Sequence, residues 1–380
     1  MATSTISANN KVTHFQEKVK REYVRDGRFG PYIGNNENSV IQVNRDLKKA
    51  SFPLVAKIGG AGVKGSATLA GSEVALSNYE FNMQPTYFRQ GVLIDNEENE
   101  KAEFDLFQEA RPSLMNWGME LKRDQIIQAL GAIQAGGTYY NYGGAEGAFG
   151  STAASAANLD TWVTNNTDRI VYGSATANLT SGDHTTSLGT VDTTADKMDE
   201  AMVSLLKSVA ETADPLIRPI MMNGDEPGYV LFLGEYAFRD LRVALQTLHS
   251  NALPRAESNP LWTAGDLLWD NIVIKRVPEI DSIFIDGSTG PFGGVWGANA
   301  TGDNLVTSGA TTSRISMGFL CGAQALGFGI GRMASFKRRK EDDYEHLNGV
   351  GISMKHDIKK VFYNNKQHGI VTSFHSSTAA

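Results

Sequence analysis

Between two stretches able to form strands, the chain runs GGAGVKGSATLAGSE from Gly59 to Glu73, a segment with too few apolar side chains to fold on itself. Ser39–Val43 and Pro53–Ile58 precede it as short strand candidates. Tyr79–Ile94 (YEFNMQPTYFRQGVLI) follows, rich in aromatic and β-branched residues. Two strands flanking a glycine-rich middle make a long hairpin-like arm. A two-stranded arm is marginal in water by itself, so it needs a surface to lie on. Residues 11–29 make the same demand: Phe15, Val19 and Tyr23 recur every four residues, a single apolar stripe on a basic, polar helix candidate. Any fold for this chain carries two appendages that must dock on its own body or on a neighbour.

The body between and after them is large. At 380 residues the chain exceeds the length at which single cores usually stop growing, about 250–300, which predicts two domains or one with large appendages. Residues 95–134 hold the longest helical signal, with Asp95, Glu97, Glu98, Glu100, Glu103 and Asp105 crowding its start, where the helix dipole favours carboxylates. Phe104, Phe107, Leu114, Trp117, Leu121 and Leu130 form its broken apolar stripe. Pro112 predicts a kink or break with a second segment starting there, and Gly136-Gly137 a stop. Residues 137–190, rich in Gly, Ala, Ser, Thr and Asn, read as an irregular insert around one strand at Arg169–Tyr172. Helix returns over 196–210 on Met198, Met202, Leu205 and Val209, and over Phe238–Leu248. Tyr229–Leu233 reads as a buried strand, and Asn271–Val277 and Ser282–Ile285 as further strands. Ile315–Arg332 is apolar and dense in small residues, suited to a tightly packed helix or strand, and the last 30 residues alternate as strands do. Strands and helices mix without regular βαβ repetition, so the class is α+β, and no repeat of 20–50 residues is present.

No motif in the sequence assembles a reactive site. Gly59–Ser66 has a phosphate-loop composition, but Lys64 precedes Gly65 rather than following the last glycine. Gly327, Gly329 and Gly331 place Arg332 where a dinucleotide fingerprint has its third glycine, so close backbone packing is the better reading. The run from Asp95 has Glu100 where a calcium loop has glycine. The seven histidines lack metal-binding spacing, and the one cysteine, Cys321, lies in an apolar run as a buried thiol. That single cysteine excludes an internal disulfide and a cysteine zinc cluster. Lys337-Arg338-Arg339-Lys340 is the one basic knot, and Glu341-Asp342-Asp343 follows it. A solvated strand end or one side of an inter-subunit charge pair explains it better than a nucleic-acid patch, since the net charge is -7. Met1–Asn10 has no apolar h-region, which predicts no secretory signal, and no stretch reaches the apolar length of a membrane span. An acidic chain with no visible catalytic set and two partner-seeking appendages points to an assembling structural subunit.

Three stretches carry a resemblance. GAGVKGSATLAGSEVAL (Gly60–Leu76) is followed, beyond the Tyr79–Ile94 strand, by ARPSLMNWGMELKRDQIIQAL (Ala110–Leu130). VLFLGEYAFRDLR (Val230–Arg242) is followed by NPLWTAGDLLWDNIVIKR (Asn259–Arg276), and FLCGAQALGFGIGR spans Phe319–Arg332. In order and spacing, from about residue 15 to about 365, the chain resembles major capsid proteins of tailed bacteriophages with the Hong Kong 97-type fold. It looks most similar to the branch named for coliphage N-four, with Leu114, Trp117 and Asp124 in matching places.

The resemblance implies an N-terminal arm over 1–47, an extended loop over 48–94 and a peripheral domain over 95–190 and 336–380 with a long spine helix. It implies an axial domain over 191–335. Gly60, Val63, Lys64, Leu69 and Glu73 would contact a neighbouring subunit. Leu114, Trp117, Leu121 and Leu130 would pack the spine helix, and Leu231, Phe232, Leu241, Cys321 and Ala325 the axial core. No cofactor, metal or catalytic residue is implied. The partners would be the chain itself, in pentamers and hexamers of a shell, with scaffolding, portal and decoration proteins beside it, and packaged DNA by proximity rather than by specific binding. No membrane is implied; the location would be the virion, and the host cytoplasm during assembly. Some relatives join subunits through a Lys–Asn bond, and Lys57 and Lys64 lie on the loop, but abundant asparagines single out no partner and no cross-link is expected. The rival readings are an encapsulin-like nanocompartment shell, a soluble enzyme and a DNA-binding protein.

Overall fold

A computed structural model describes residues 25, 27–45, 49–60, 62–66, 68–101, 105–140, 154–180, 182–192, 195–222, 226–252, 262–263, 266–284, 305–308, 311–339 and 347–377. The helix expected on Phe15, Val19 and Tyr23, the stripe residue Phe104, and the acidic run Glu341–Asp343 lie outside them, as does Lys340. The chain divides into two compact units. One takes Met1–Asp26, Tyr87–Leu121 and Met333–Lys355; the other takes Gly27–Thr86, Lys122–Arg332 and His356–Ala380.

The larger unit is built on a mixed sheet. Its strands run Trp262–Thr263, Asp266–Trp269, Ile272–Arg276, Glu226–Leu233, Thr311–Cys321, Ile370–Ser377 and Ile170–Tyr172 in spatial order. Glu226–Leu233 pairs parallel with Ile272–Arg276 and antiparallel with Thr311–Cys321. Ile370–Ser377 pairs antiparallel with Thr311–Cys321 and parallel with Ile170–Tyr172. Because successive side chains point to opposite faces, YVLFL supplies both sides of the sheet. Val230 and Phe232 enter a core with Cys321, Ala325, Trp162 and Phe374. Tyr229, Leu231 and Leu233 enter a second core with Leu241, Leu245, Val203 and Leu206.

Two amphipathic helices close that second core. Asp199 caps Glu200–Thr212 by accepting from Met202 N at 2.8 Å, and Met202, Val203, Leu206 and Ala210 form its buried stripe. Glu235–Ala252 buries Ala237, Phe238, Leu241 and Leu245 against the same sheet. The first core takes Ile126, Ile127 and Leu130 from the last turns of the long helix Leu106–Gly131.

The smaller unit is simpler. Leu114, Trp117 and Leu121, from the first part of the same long helix, pack on Phe88, Val350, Ile352 and Met354. Those residues belong to Thr86–Asp95 and Leu347–Lys360, which are sheet neighbours beside Leu326–Arg339. Gly118 lets helix and strand approach: a Cβ there would stand 2.9 Å from Met354 Cε.

Four expectations need correction. Pro112 does not break the helix, which runs unbroken from Leu106 to Gly131. A proline removes one backbone bond, and Leu114, Trp117 and Leu121 hold the turns beyond it by packing. The helix ends at Gly131, and Gly136-Gly137, with φ of 57° and 79°, instead turns the hairpin Ile133–Ala135/Thr138–Tyr140. Ser282–Ile285 is not a strand: Glu279–Phe284 is helical, with Ile280 and Ile283 buried three residues apart. Residues 154–190 are more regular than their composition suggests. They hold the helix Ala156–Asn165, capped by Ser155, and the short helix His184–Gly189, capped by Asp183, around the strand Ile170–Tyr172.

Candidate assembly surface

The arm inferred from Gly59–Glu73 is present, and its root and tip differ. At the root, Ala50–Val55 pairs antiparallel with Asn78–Met83, with Phe52 opposite Phe81 and Val55 opposite Asn78. Phe81 and Met83 are buried with Val361, and Phe52 and Tyr363 pack against them. Tyr79–Ile94 is therefore two strands, Asn78–Met83 at the root and Thr86–Asp95 beyond it. Gly327 makes the root's close approach possible, since a Cβ there would stand 2.8 Å from Met83 Sδ.

The tip is held by local bonds. Ala56 N donates to Ser77 O at 2.9 Å, Ser72 N to Leu69 O at 2.9 Å, and Gly71 N to Glu73 Oε2 at 2.6 Å. Gly60, Gly62, Gly65 and Gly71 all take positive φ, between 67° and 118°, a region closed to most side chains. Along this tip the large apolar side chains point into solvent: Leu69 and Leu76 are each 60% exposed, and Val55, Ile58, Val63 and Val74 are exposed as well. Apolar patches of this kind mark interaction surfaces.

Each residue expected at the loop lies on it. Gly60, Val63, Lys64, Leu69 and Glu73 are all exposed. Leu114 is buried in the smaller unit with Trp117 and Leu121 at its edge. Leu130 parts from them and joins the first core of the larger unit beside Phe232, Cys321 and Ala325, while Leu231 and Leu241 lie in the second core. Lys337, Arg338 and Arg339 are exposed at the end of their strand. Composition alone did not single out Val55, Ile58, Val74 and Leu76. The signal lay in isolated aliphatics spaced through glycine and serine, too sparse for a core and too apolar for a solvated loop.

Nothing in the described residues resembles reactive chemistry. Burial pushes the Cys321 thiol well up from its ordinary value, so it stays protonated and inert. No group of three metal-ligating side chains comes together among the described residues. No described helix is long and apolar enough to cross a membrane.

The comparisons match this picture. The model of a family described as "Phage capsid protein" matches residues 3–378. No curated protein matches the sequence. Among solved structures, the capsid of cyanophage Pam1 is 31% identical over 100% of both chains, with a TM-score of 0.84. The capsid of Ralstonia phage GP4 covers 100% of this chain and 99% of its own at 16% identity and a TM-score of 0.66. The capsid of Helicobacter pylori bacteriophage KHP30 covers 97% of this chain and 96% of its own at 15% identity and a TM-score of 0.65. The last two show the fold alone, which is the Hong Kong 97-type expected from the sequence. The enzyme, nanocompartment and DNA-binding readings fall away. With an exposed apolar arm and a family match along almost its whole length, the chain belongs to the phage capsid protein family: it is the self-associating major capsid protein of a tailed-phage head shell, a structural part of the virion and not an enzyme.

Proposed function

We propose that the chain closes its shell by laying residues 48–94 across a neighbouring subunit, within the branch named for coliphage N-four. The observation that carries this reading is the contrast within the arm, anchored at Phe81 and Met83 and apolar but exposed from Val55 to Leu76. Gly60, Val63, Lys64, Leu69 and Glu73 are then contact residues. On this reading 1–47 is an N-terminal arm, 95–190 with 336–380 the peripheral domain, and 191–335 the axial domain around fivefold and sixfold positions. Leu114, Trp117, Leu121 and Leu130 then hold the spine helix, and Leu231, Phe232, Leu241, Cys321 and Ala325 the axial core. Pentamers and hexamers of this chain meet scaffolding, portal and decoration proteins, and the mildly acidic subunit keeps packaged DNA near the wall without gripping it. A loop of this kind adds contact area without enlarging the core, and a symmetric shell repeats each small contact many times.

Deleting Gly60–Ser72 tests the loop assignment. The expected result is a subunit with the wild-type unfolding midpoint that no longer forms shells in negative-stain images. Normal shells from the deleted chain would refute it.

A further inference from the structure

The smaller unit has a face that the long helix does not cover. Val350, Ile352 and Met354 turn toward the helix, so Gly349, Gly351, Ser353 and Lys355 turn away from it. A Cβ on Gly349 would stand 3.1 Å from Arg339 Cβ, and one on Gly351 3.9 Å from Gly91 Cα. Ser335 Oγ lies 3.2 Å from Ser353 Oγ, and Lys355 Nζ lies 5.2 Å from the Tyr87 ring centre. Three neighbouring strands thus share one outer face carrying Lys337, Arg339, Lys355 and Arg89, with Asp95 a carboxylate at one strand end and Asp357 another beyond Lys355. Gly91, Gly349 and Gly351 strip its middle of side chains. What remains is a trough of about 410 Å³ bordered by Lys337, Arg338, Arg339 and Leu93. In a chain of net charge -7 this is a concentrated cationic surface.

We propose that this trough receives the acidic helix Asn96–Lys101 of a second copy of the chain, with Glu97 and Glu100 meeting Lys337 and Arg339. Both carboxylates are exposed, and the contact would draw Glu97 from its solvent-exposed pair with Lys101 of the same helix, 2.7 Å away. The helix begins where the trough's face ends: Asp95 Oδ1, on that face, accepts from Glu97 N at 2.9 Å. A patch with acid and base side by side is self-complementary. Two copies facing each other across a twofold place each acid against the other's base. Charge pairs of this kind set register and suppress wrong partners. The inference rests on the shell-forming function, not on the loop assignment.

Swapping charge tests it in the virus, with the capsid gene inactivated and variants supplied in trans. K337E/R339E and E97K/E100K, each alone, should lower particle yield on the order of 100-fold while keeping the wild-type far-UV spectrum and melting. Supplied together, they should restore yield to within about tenfold of wild type, because only a contact between copies lets the two variants complement. A mixture as inert as each variant alone, with both folded, overturns the proposal. So does either variant forming particles normally. Normal empty shells from K337E/R339E that fail to retain DNA would overturn it in favour of a nucleic-acid surface. Rescue of K337E/R339E by E341K/D342K within one chain would overturn it in favour of the chain's own strand connection. Should a swapped variant not fold, K337Q/R339Q decides: it should remove the salt dependence of shell yield, and an unchanged salt dependence refutes the contact.

Discussion

Lys360 is held where a lysine is least suited. It is 1% exposed, with Nζ 5.9 Å from the Trp162 ring centre and 5.6 Å from that of Phe362, and without a hydrogen-bond acceptor among the described residues. Desolvation lowers its pKa to about 7. In the unfolded chain the same amine titrates near 10.5, so between pH 7 and 10.5 the unfolded state binds more protons and stability rises with pH. Below about 7 both states are protonated and the penalty, up to about 5 kcal/mol, is constant. Lys360→Met should therefore raise the urea midpoint at pH 7 and flatten its dependence up to pH 10; an unchanged slope would mean the amine reaches a polar partner.

The buried histidines act in the next window down. Burial lowers His184, His356 and His368 to about 4 and His375 to about 3. For each, the unfolded ring is protonated first as pH falls below 6.5, so stability drops with acid until the folded value is reached. His375 is fully buried, and neither ring nitrogen has a partner among the described residues. His375→Leu should weaken the acid loss between pH 6.5 and 4 by about 3 kcal/mol in the isolated subunit. Identical acid curves for both proteins would place the loss elsewhere.

At the scale of elements, the long helix shows what periodicity can and cannot give. Leu114, Trp117 and Leu121 were legible because they fall at helical spacing and meet one sheet face. Leu130 is on the same helix, but its neighbours come from far along the chain, and no local pattern says that the helix serves two cores. Ile280 and Ile283 misled for the opposite reason, since a short β-branched run fits either period. The arm was legible through composition, as glycine and serine cannot make a core, whereas the cationic trough showed only as the basic run at Lys337–Arg339. Its floor is a set of glycines on two strands, and only pairing brings Gly91 beside Gly351. Gly118 lies where the helix meets Met354 and Ile352, so Gly118→Leu should force the contact apart and destabilise the subunit by about 2–3 kcal/mol. Trp117→Ala, which leaves a partly filled gap on the same face, should lose about 3 kcal/mol. Thermal or urea unfolding reads both, and shifts under about 0.5 kcal/mol would show that this helix face is not packed.

For the whole molecule, stability and assembly rest on different residues. The cores use the sheet and its helices, while Leu69 and Leu76 on the arm contribute almost nothing to the isolated subunit because both remain 60% exposed. Covering them against a neighbour is worth about 1–2 kcal/mol each, from the apolar area removed from water. Leu69→Ser with Leu76→Ser should then leave the urea midpoint of the subunit unchanged within about 0.5 kcal/mol. The same pair should raise the protein concentration at which shells first sediment on the order of 30-fold, the equivalent of about 2 kcal/mol per subunit. Matched losses in subunit stability and in assembly would mean that the arm packs on its own body. A raised threshold with an unmoved midpoint separates the two roles, and it explains how a subunit can be stable alone yet leave an apolar surface uncovered until its neighbours arrive.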